Sequence, residues 1–262
     1  MSRAAARAVR ALLLSLVAAA AAPVLAARDE AALRACLLAN VAADGVAQDI
    51  AIAQTDSTGA TKRLNGRWYW QRRDEGQRAM LRLSAPPDLD GAAYLFVADA
   101  GKDSFWLYLP SVGKVRKVVG ATVAQSLFGS GLSAFDLKFL FSGLSGGQFR
   151  YVGSGQRDGR SVERWQYRPA SAPDILYDRV DLVIDDVWCL PTHADLFGGV
   201  PWKTLDVDPA TVSKQDGRWR VARVLLTDLR AGNRSEIRLG PESAVGSLPP
   251  ALFDPRKFHR QR

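Results

Sequence analysis

The segment with the most evident chemistry is Gly143-Leu144-Ser145-Gly146-Gly147, which matches the G-x-S-x-G pattern of a serine nucleophile held on a sharp turn. Asp185, His193 and Asp195 follow it, so an acid and a base for activating Ser145 stand in roughly the required order. The pattern also needs a strand before the serine and a helix after it, in a sheet where strands and helices alternate. Here that order is reversed: an apolar helical run ends at Ser142 and a strand pattern begins near Gln148. Five residues this rich in glycine read as a helix-to-strand turn. A Ser145-based esterase is kept as the alternative that ester hydrolysis would reveal. The adjacent carboxylates Asp185-Asp186 point to opposite faces of an extended chain and are read as turn residues. No catalytic residue is assigned.

Two cysteines, Cys36 and Cys189, and two histidines, His193 and His259, lack metal-ligand spacing, so no metal is expected. Two readings of the cysteines stay open. One is a disulfide, which an oxidising compartment permits. The other is a free thiol buried on the apolar face of the helix that carries Cys36.

An oxidising compartment is implied by the N-terminus. Arg3, Arg7 and Arg10 precede the apolar run Ala11–Ala22, and Val24-Leu25-Ala26 offers a small-residue cleavage site, the three parts of a cleavable secretory signal. The run is shorter than the ~20 residues that cross a bilayer. Residues 1–26 are therefore set apart as signal peptide, and 27–262 as one exported domain. Leu33-Arg34-Ala35 before Cys36 resembles a lipidation signal only superficially, because Arg28, Asp29, Glu30 and Arg34 separate it from the apolar run. Charge excludes a nucleic-acid partner: 35 basic residues less the three in the signal, against 27 acids, leave +5. Arg256, Lys257, Arg260 and Arg262 at the C-terminus account for four of those charges, so the body is nearly neutral and lacks a sustained basic face. The tail reads as a solvated terminus, with contact to an anionic membrane surface as the other reading.

The elements that must position any site are mostly strands. Asp29–Val41 reads as one helix, with Leu33, Cys36, Leu37 and Val41 on one face. From Val46 the period becomes two; in residues 63–72, Leu64, Trp68 and Trp70 share a face opposite Arg63, Asn65, Arg67 and Gln71. Strands are predicted at 46–55, 63–72, 77–84, 92–98, 104–109 and 114–119, joined by short turns, which implies an antiparallel meander. Two capping boxes, Thr122–Gln125 and Ser133–Asp136, predict two short helices joined through Gly129-Ser130-Gly131. Strands resume at 149–153, 162–168, 177–184, 189–197, 202–207, 219–229 and 235–239. A sheet of about a dozen strands must hide one face, and curling hides that face on itself around a hollow. The chain has 7 Trp, 6 Tyr and 10 Phe to line one.

In order along the chain, several segments resemble the LolA-like family of outer membrane lipoprotein-sorting proteins. Residues 105–117, from Phe105-Trp106-Leu107-Tyr108-Leu109-Pro110 to Lys117, are similar to that family's "W-x-Y-x-P-x-x-x-K-x-R-x-I" strand pair. Gly129–Leu137 resembles its "G-S-D-F-S-x-x-D-L" helical segment, and Asp195–Lys203 its "Y-D-x-x-G-x-x-x-K" hairpin. Residues 227–232 and 248–253 sit in the same order. Gly131 departs from the family's usual acidic residue, and Leu196-Phe197 from a more polar stretch.

The resemblance implies a mainly β chain: an antiparallel, incomplete, half-open β-barrel closed by an N-terminal helix and a mid-chain helical lid. It implies a periplasmic carrier, without cofactor or catalysis, that holds the acyl chains of a lipoprotein or lipid and moves them toward the outer membrane. An inner-membrane transporter and an outer-membrane acceptor are the implied partners. The expected lining is Trp68, Trp70, Leu81, Leu83, Phe96, Trp106 and Tyr108 on strands, with Leu127, Phe128, Leu132 and Phe135 on the lid. The competing reading is a non-catalytic docking or accessory protein of an envelope transporter, in which those residues fill a packed core.

Overall fold

A computed structural model describes residues 28–42, 45–73, 76–99, 102–142, 144, 147–170 and 176–260; the expected signal segment and Ser145 lie outside the described residues. Asp29 caps helix α1 (Glu30–Leu38), its carboxylate accepting from the Ala32 N–H at 2.7 Å. Leu33 is fully buried on the inner face of α1, and Leu37 packs beside it. The helix ends earlier than predicted because Asn40 is engaged elsewhere: its amide donates to the Trp188 carbonyl at 2.7 Å and accepts from the Trp219 N–H at 2.8 Å. Cys36 and Cys189 form a disulfide with 5.5 Å between their Cα atoms, which decides between the two readings and ties α1 to the sheet.

The strands are β1 (Gly45–Thr55), β2 (Thr61–Arg73), β3 (Gly76–Ala85), β4 (Ala93–Asp99), β5 (Lys102–Leu109) and β6 (Lys114–Val118), then, after helix α2 (Ala134–Ser142), β7 (Gln148–Arg157), β8 (Arg160–Arg168), β9 (Arg179–Asp185), β10 (Pro191–Gly198), β11 (Val200–Val207), β12 (Val212–Gln215), β13 (Arg218–Val221), β14 (Arg223–Asp228), β15 (Asn233–Leu239) and β16 (Ser243–Gly246). They form one antiparallel sheet in the order β6-β5-β4-β3-β2-β1-β15-β14-β11-β10-β9-β8-β7, with β16 also on β1 and β12–β13 standing off as a separate ribbon. The two meanders meet where β1 pairs with β15, Ile52 opposite Ile237. The path ends at β6 and β7 without closing, so the sheet is the predicted half-open barrel.

Local expectations failed where a distant partner intervened. The single strand predicted over 219–229 breaks at Ala222, whose N–H turns to Thr211 while its carbonyl accepts from Leu239, and β13 leaves the sheet to pair with β12. Thr122 does not open an α-helix: its hydroxyl bonds back to Val119 and closes a 3-10 turn over Gly120–Ala124. The second box works as predicted, Ser133 Oγ accepting from the Asp136 N–H at 3.2 Å and Asp136 accepting from the Ser133 N–H at 2.7 Å. Gly131 has a steric reason: its φ is +76° and a Cβ there would stand 2.3 Å from Ser235 Oγ.

Both faces of β3–β5 are apolar. The concave face carries Leu81, Leu83, Tyr94, Phe96 and Phe105. The outer face carries Met80 and Leu95, covered by Leu248, Leu252, Phe253 and Phe258 of the C-terminal segment. That segment is docked on the sheet: Phe258 is fully buried, His259 stacks on Tyr108 at 4.6 Å, and Arg82 donates to the His259 carbonyl. Arg256, Lys257 and Arg260 remain exposed.

Candidate functional site

Between the concave face and the two helices lies a cavity of about 220 Å³. Alternation along the strands supplies its walls: Val46 on β1, Trp68 and Trp70 on β2, Leu205 and Val207 on β11, Ile237 and Leu239 on β15. Phe139 and Leu140 of α2, with Leu37 and Val41 at the end of α1, form its roof. The cavity is bounded at one end by the disulfide and by Trp219 and Val221 of the β12–β13 ribbon.

The expected lining residues divide into three groups. Trp68 and Trp70 line the cavity. Leu81, Leu83 and Phe96 share the concave face but are packed into solid core, Phe96 stacking on Phe105 at 5.4 Å. Trp106 and Tyr108 lie on the outer face under the C-terminal segment, because β5 pairs Leu95 with Trp106 and Ala93 with Tyr108. In Phe105-Trp106-Leu107-Tyr108-Leu109 every residue is apolar, so the sequence carries no parity signal; Phe105, Leu107 and Leu109 are the inward residues.

The expected lid residues also lie away from the cavity. Leu127, Phe128 and Leu132 are buried in the core, and Phe135 packs on Phe105 with 5.8 Å between ring centres. The loop that bears them packs against Gln54, Lys62 and Ser235, toward the opposite end of β1 and β15 from the cavity-lining Val46 and Leu239. Sequence reading missed Leu205, Val207, Ile237 and Leu239; their alternation is legible, but nothing in it tells cavity wall from filled core.

A buried polar cluster fastens that loop. Lys203 on β11 donates to Asp136 Oδ2 at 2.5 Å and to the Gly131 carbonyl at 3.2 Å, with both side chains of the ion pair at most 4% exposed. Tyr177 donates to Asp136 Oδ1 at 2.5 Å, and Ser235 to the Ser130 carbonyl at 2.8 Å. Burial and the Asp136 charge push the Tyr177 phenol far above its ordinary pKa, so it remains a donor. Asp136 and Lys203 belong to two separate segments that carried the family resemblance, and the fold brings them into contact.

The esterase geometry is not assembled by the described residues. His193 lies on the outer face of β10, its Nδ1 2.7 Å from Asp206 and its Nε2 3.3 Å from Asp195. Burial pushes the Asp185 carboxyl up, but Arg160 and the N–H groups of Trp188 and Val187 outweigh it and hold the carboxyl below the usual range. Ser145 itself lies outside the described residues; in chain order it falls after α2 and before β7, the reverse of the strand-then-helix order a nucleophile turn needs.

A family model described as "Uncharacterized protein" matches residues 75–260. The chain belongs to that family. No curated protein matches the sequence. Among solved structures, an outer membrane lipoprotein-sorting protein domain from Vibrio parahaemolyticus is 17% identical over 87% of this chain and 96% of its own, with a TM-score of 0.77. A DUF1329 family protein from Desulfovibrio piger gives 20% identity, 85% and 94% coverage and a TM-score of 0.77. A LolA superfamily protein from Nitrosomonas europaea gives 16%, 85% and 95%, and 0.68. The fold is LolA-like, as the ordered segments implied. Its half-open sheet is the frame on which this family member builds the cavity and the fastened loop.

Proposed function

We propose that the chain is a periplasmic carrier that buries an acyl chain of a lipid or lipoprotein in the cavity and moves it toward the outer membrane, without catalysis. The observation that carries this reading is the apolar hollow walled by Trp68, Trp70, Leu205 and Ile237 inside an otherwise close-packed concave core. Each methylene removed from water contributes roughly 0.8 kcal/mol. A tail of about fourteen methylenes therefore resists aqueous transfer by roughly 11 kcal/mol, and a carrier must supply the apolar surface that water does not.

At about 220 Å³ the cavity is smaller than the ~300–1,000 Å³ usual for ligand sites, so loading moves α2 away from the sheet while the Cys36–Cys189 disulfide holds α1. The Cys36–Cys189 disulfide supports an oxidising compartment and therefore the exported location. Loading from an inner-membrane transporter and delivery to an outer-membrane acceptor complete the proposed route.

Two measurements test the reading. Mass spectrometry of the protein purified without detergent is expected to find a bound lipid. Leu205→Trp, which narrows the cavity, is expected to weaken uptake of a fluorescent fatty acid severalfold while the melting temperature stays within a few degrees of the parent. Undiminished uptake by the folded variant would place the lipid elsewhere and remove the cavity from the mechanism.

A further inference from the structure

The cavity walls are apolar, but one end is not. Arg220, Glu242 and Asn40 stand there, on β13, before β16 and after α1. Glu242 Oε2 lies 2.7 Å from Arg220 Nη2 and 3.3 Å from Arg218 Nη2, so two guanidinium groups converge on one carboxylate. The other charges on the ribbon are Lys214, which lies over the Trp219 ring, and Asp216 at the exposed turn, leaving a surplus of one positive charge.

Part of the donor capacity at this end is unspent. Arg218 Nη1 and Arg220 Nε are buried without a hydrogen-bond partner among the described residues, while Arg220 Nη1 donates to the Asn40 carbonyl and Arg220 Nη2 is taken up by its ion pair with Glu242. The two ion pairs to Glu242 Oε2 form without hydrogen-bond alignment. On the cavity wall the Trp70 Nε1–H is likewise buried without an acceptor, on a side chain only 3% exposed. Buried donors in native proteins ordinarily find acceptors. A cluster that leaves several of them open beside an apolar cavity is arranged for an acceptor that arrives from outside.

We infer that this polar end is a head-group site, and that the cargo is a single-chain fatty acid whose carboxylate is held by Arg218 and Arg220 while its tail lies along Trp68, Trp70, Leu205 and Ile237. The inference rests on the carrier reading and narrows it. A planar carboxylate suits the guanidinium fork, which binds it through two parallel hydrogen bonds. The small volume suits one tail better than the two or three of a phospholipid or triacylated lipoprotein. Glu242 occupies the place the incoming carboxylate takes, and burial raises its pKa against the opposing pull of Arg218.

The test uses the mature, disulfide-bonded chain and two fluorescent probes, cis-parinaric acid and its methyl ester, which share a tail and differ in head charge. The acid is expected to bind the parent roughly tenfold tighter than the ester, the scale of one charge-assisted bidentate contact. Arg218→Gln is expected to erase that preference and leave the ester unchanged, and Glu242→Gln to tighten the acid. Arg218 is chosen over Arg220 because Arg220 also holds Asn40 at the end of α1. Equal binding of acid and ester by the parent, or equal loss of both in Arg218→Gln, would overturn the head-group site and leave the carrier standing. Hexadecyl phosphate displacing the acid more effectively than palmitate would overturn the choice of carboxylate. Binding of neither probe to the parent would overturn the carrier reading itself, and this inference with it.

Discussion

Replacing Lys203 by methionine removes the cation that, among the described residues, is bonded to the Asp136 carboxylate, and leaves the rest of the cluster in place. The side chains of Lys203 and Asp136 are 4% and 0% exposed, so water does not compensate the stranded charge. Removing one partner of a buried ion pair costs about 3–5 kcal/mol. For a domain of this size, a melting temperature falls roughly 2–4 °C per kcal/mol, giving a drop of about 6–20 °C for Lys203→Met. The double variant Lys203→Met/Asp136→Leu removes both charges. It still loses the capping contact to Ser133, worth about 1 kcal/mol, and leaves the Tyr177 hydroxyl without its acceptor, about 1–3 kcal/mol. Its loss is therefore expected to fall short of the sum of the single losses by about 2 kcal/mol or more. Urea unfolding under oxidising conditions, with the slope unchanged across the set, measures all three. Single losses below about 1 kcal/mol, or simple additivity, would refute the view that this pair fastens the loop of residues 126–133 to the sheet.

Tyr94, Tyr167 and Tyr177 all have phenols raised by burial, Tyr167 to about 12, with the Asp136 charge adding to the effect at Tyr94 and Tyr177. Tyrosinate absorbance is expected to show these three still protonated at about pH 11 in the folded chain. Stability should hold below pH ~10 and fall above it, because the unfolded chain then releases protons that the folded one keeps; a transition midpoint unmoved between pH 9 and 11 would count against the assignment. Reduction of Cys36–Cys189, which are 153 residues apart in sequence, is expected to cost about 5 kcal/mol by loop entropy, read from urea curves with and without reductant. A loss under 1 kcal/mol would mean that the unfolded chain already holds these ends together.

The inward faces of β2 and β3 were legible because each strand alternates apolar and polar residues over most of its length, as in Leu64, Trp68 and Trp70 against Arg63, Asn65 and Arg67. Trp106 and Tyr108 were misplaced because β5 is apolar on both sides and its outer face is hidden by a segment about 150 residues later in the chain. The loop at 127–132 was seen as apolar and glycine-jointed, but its place in the core, away from the cavity, follows from Ser235 and Lys203, which no local pattern connects to it. The head-group cluster was invisible for the same reason: Asn40, Arg220 and Glu242 come from three distant segments.

From the sequence alone came the strand and turn rhythm, the capping box that starts α2, the apolar face of α1 and the order of segments that marks a LolA-like sheet. These are consequences of backbone period and short-range hydrogen bonding, which each stretch of chain expresses by itself. The tertiary structure decided which apolar residues border empty space, which end of that space is polar, and which charges and cysteines meet. Those outcomes depend on how side chains from remote strands share a volume, a quantity that no window of sequence contains.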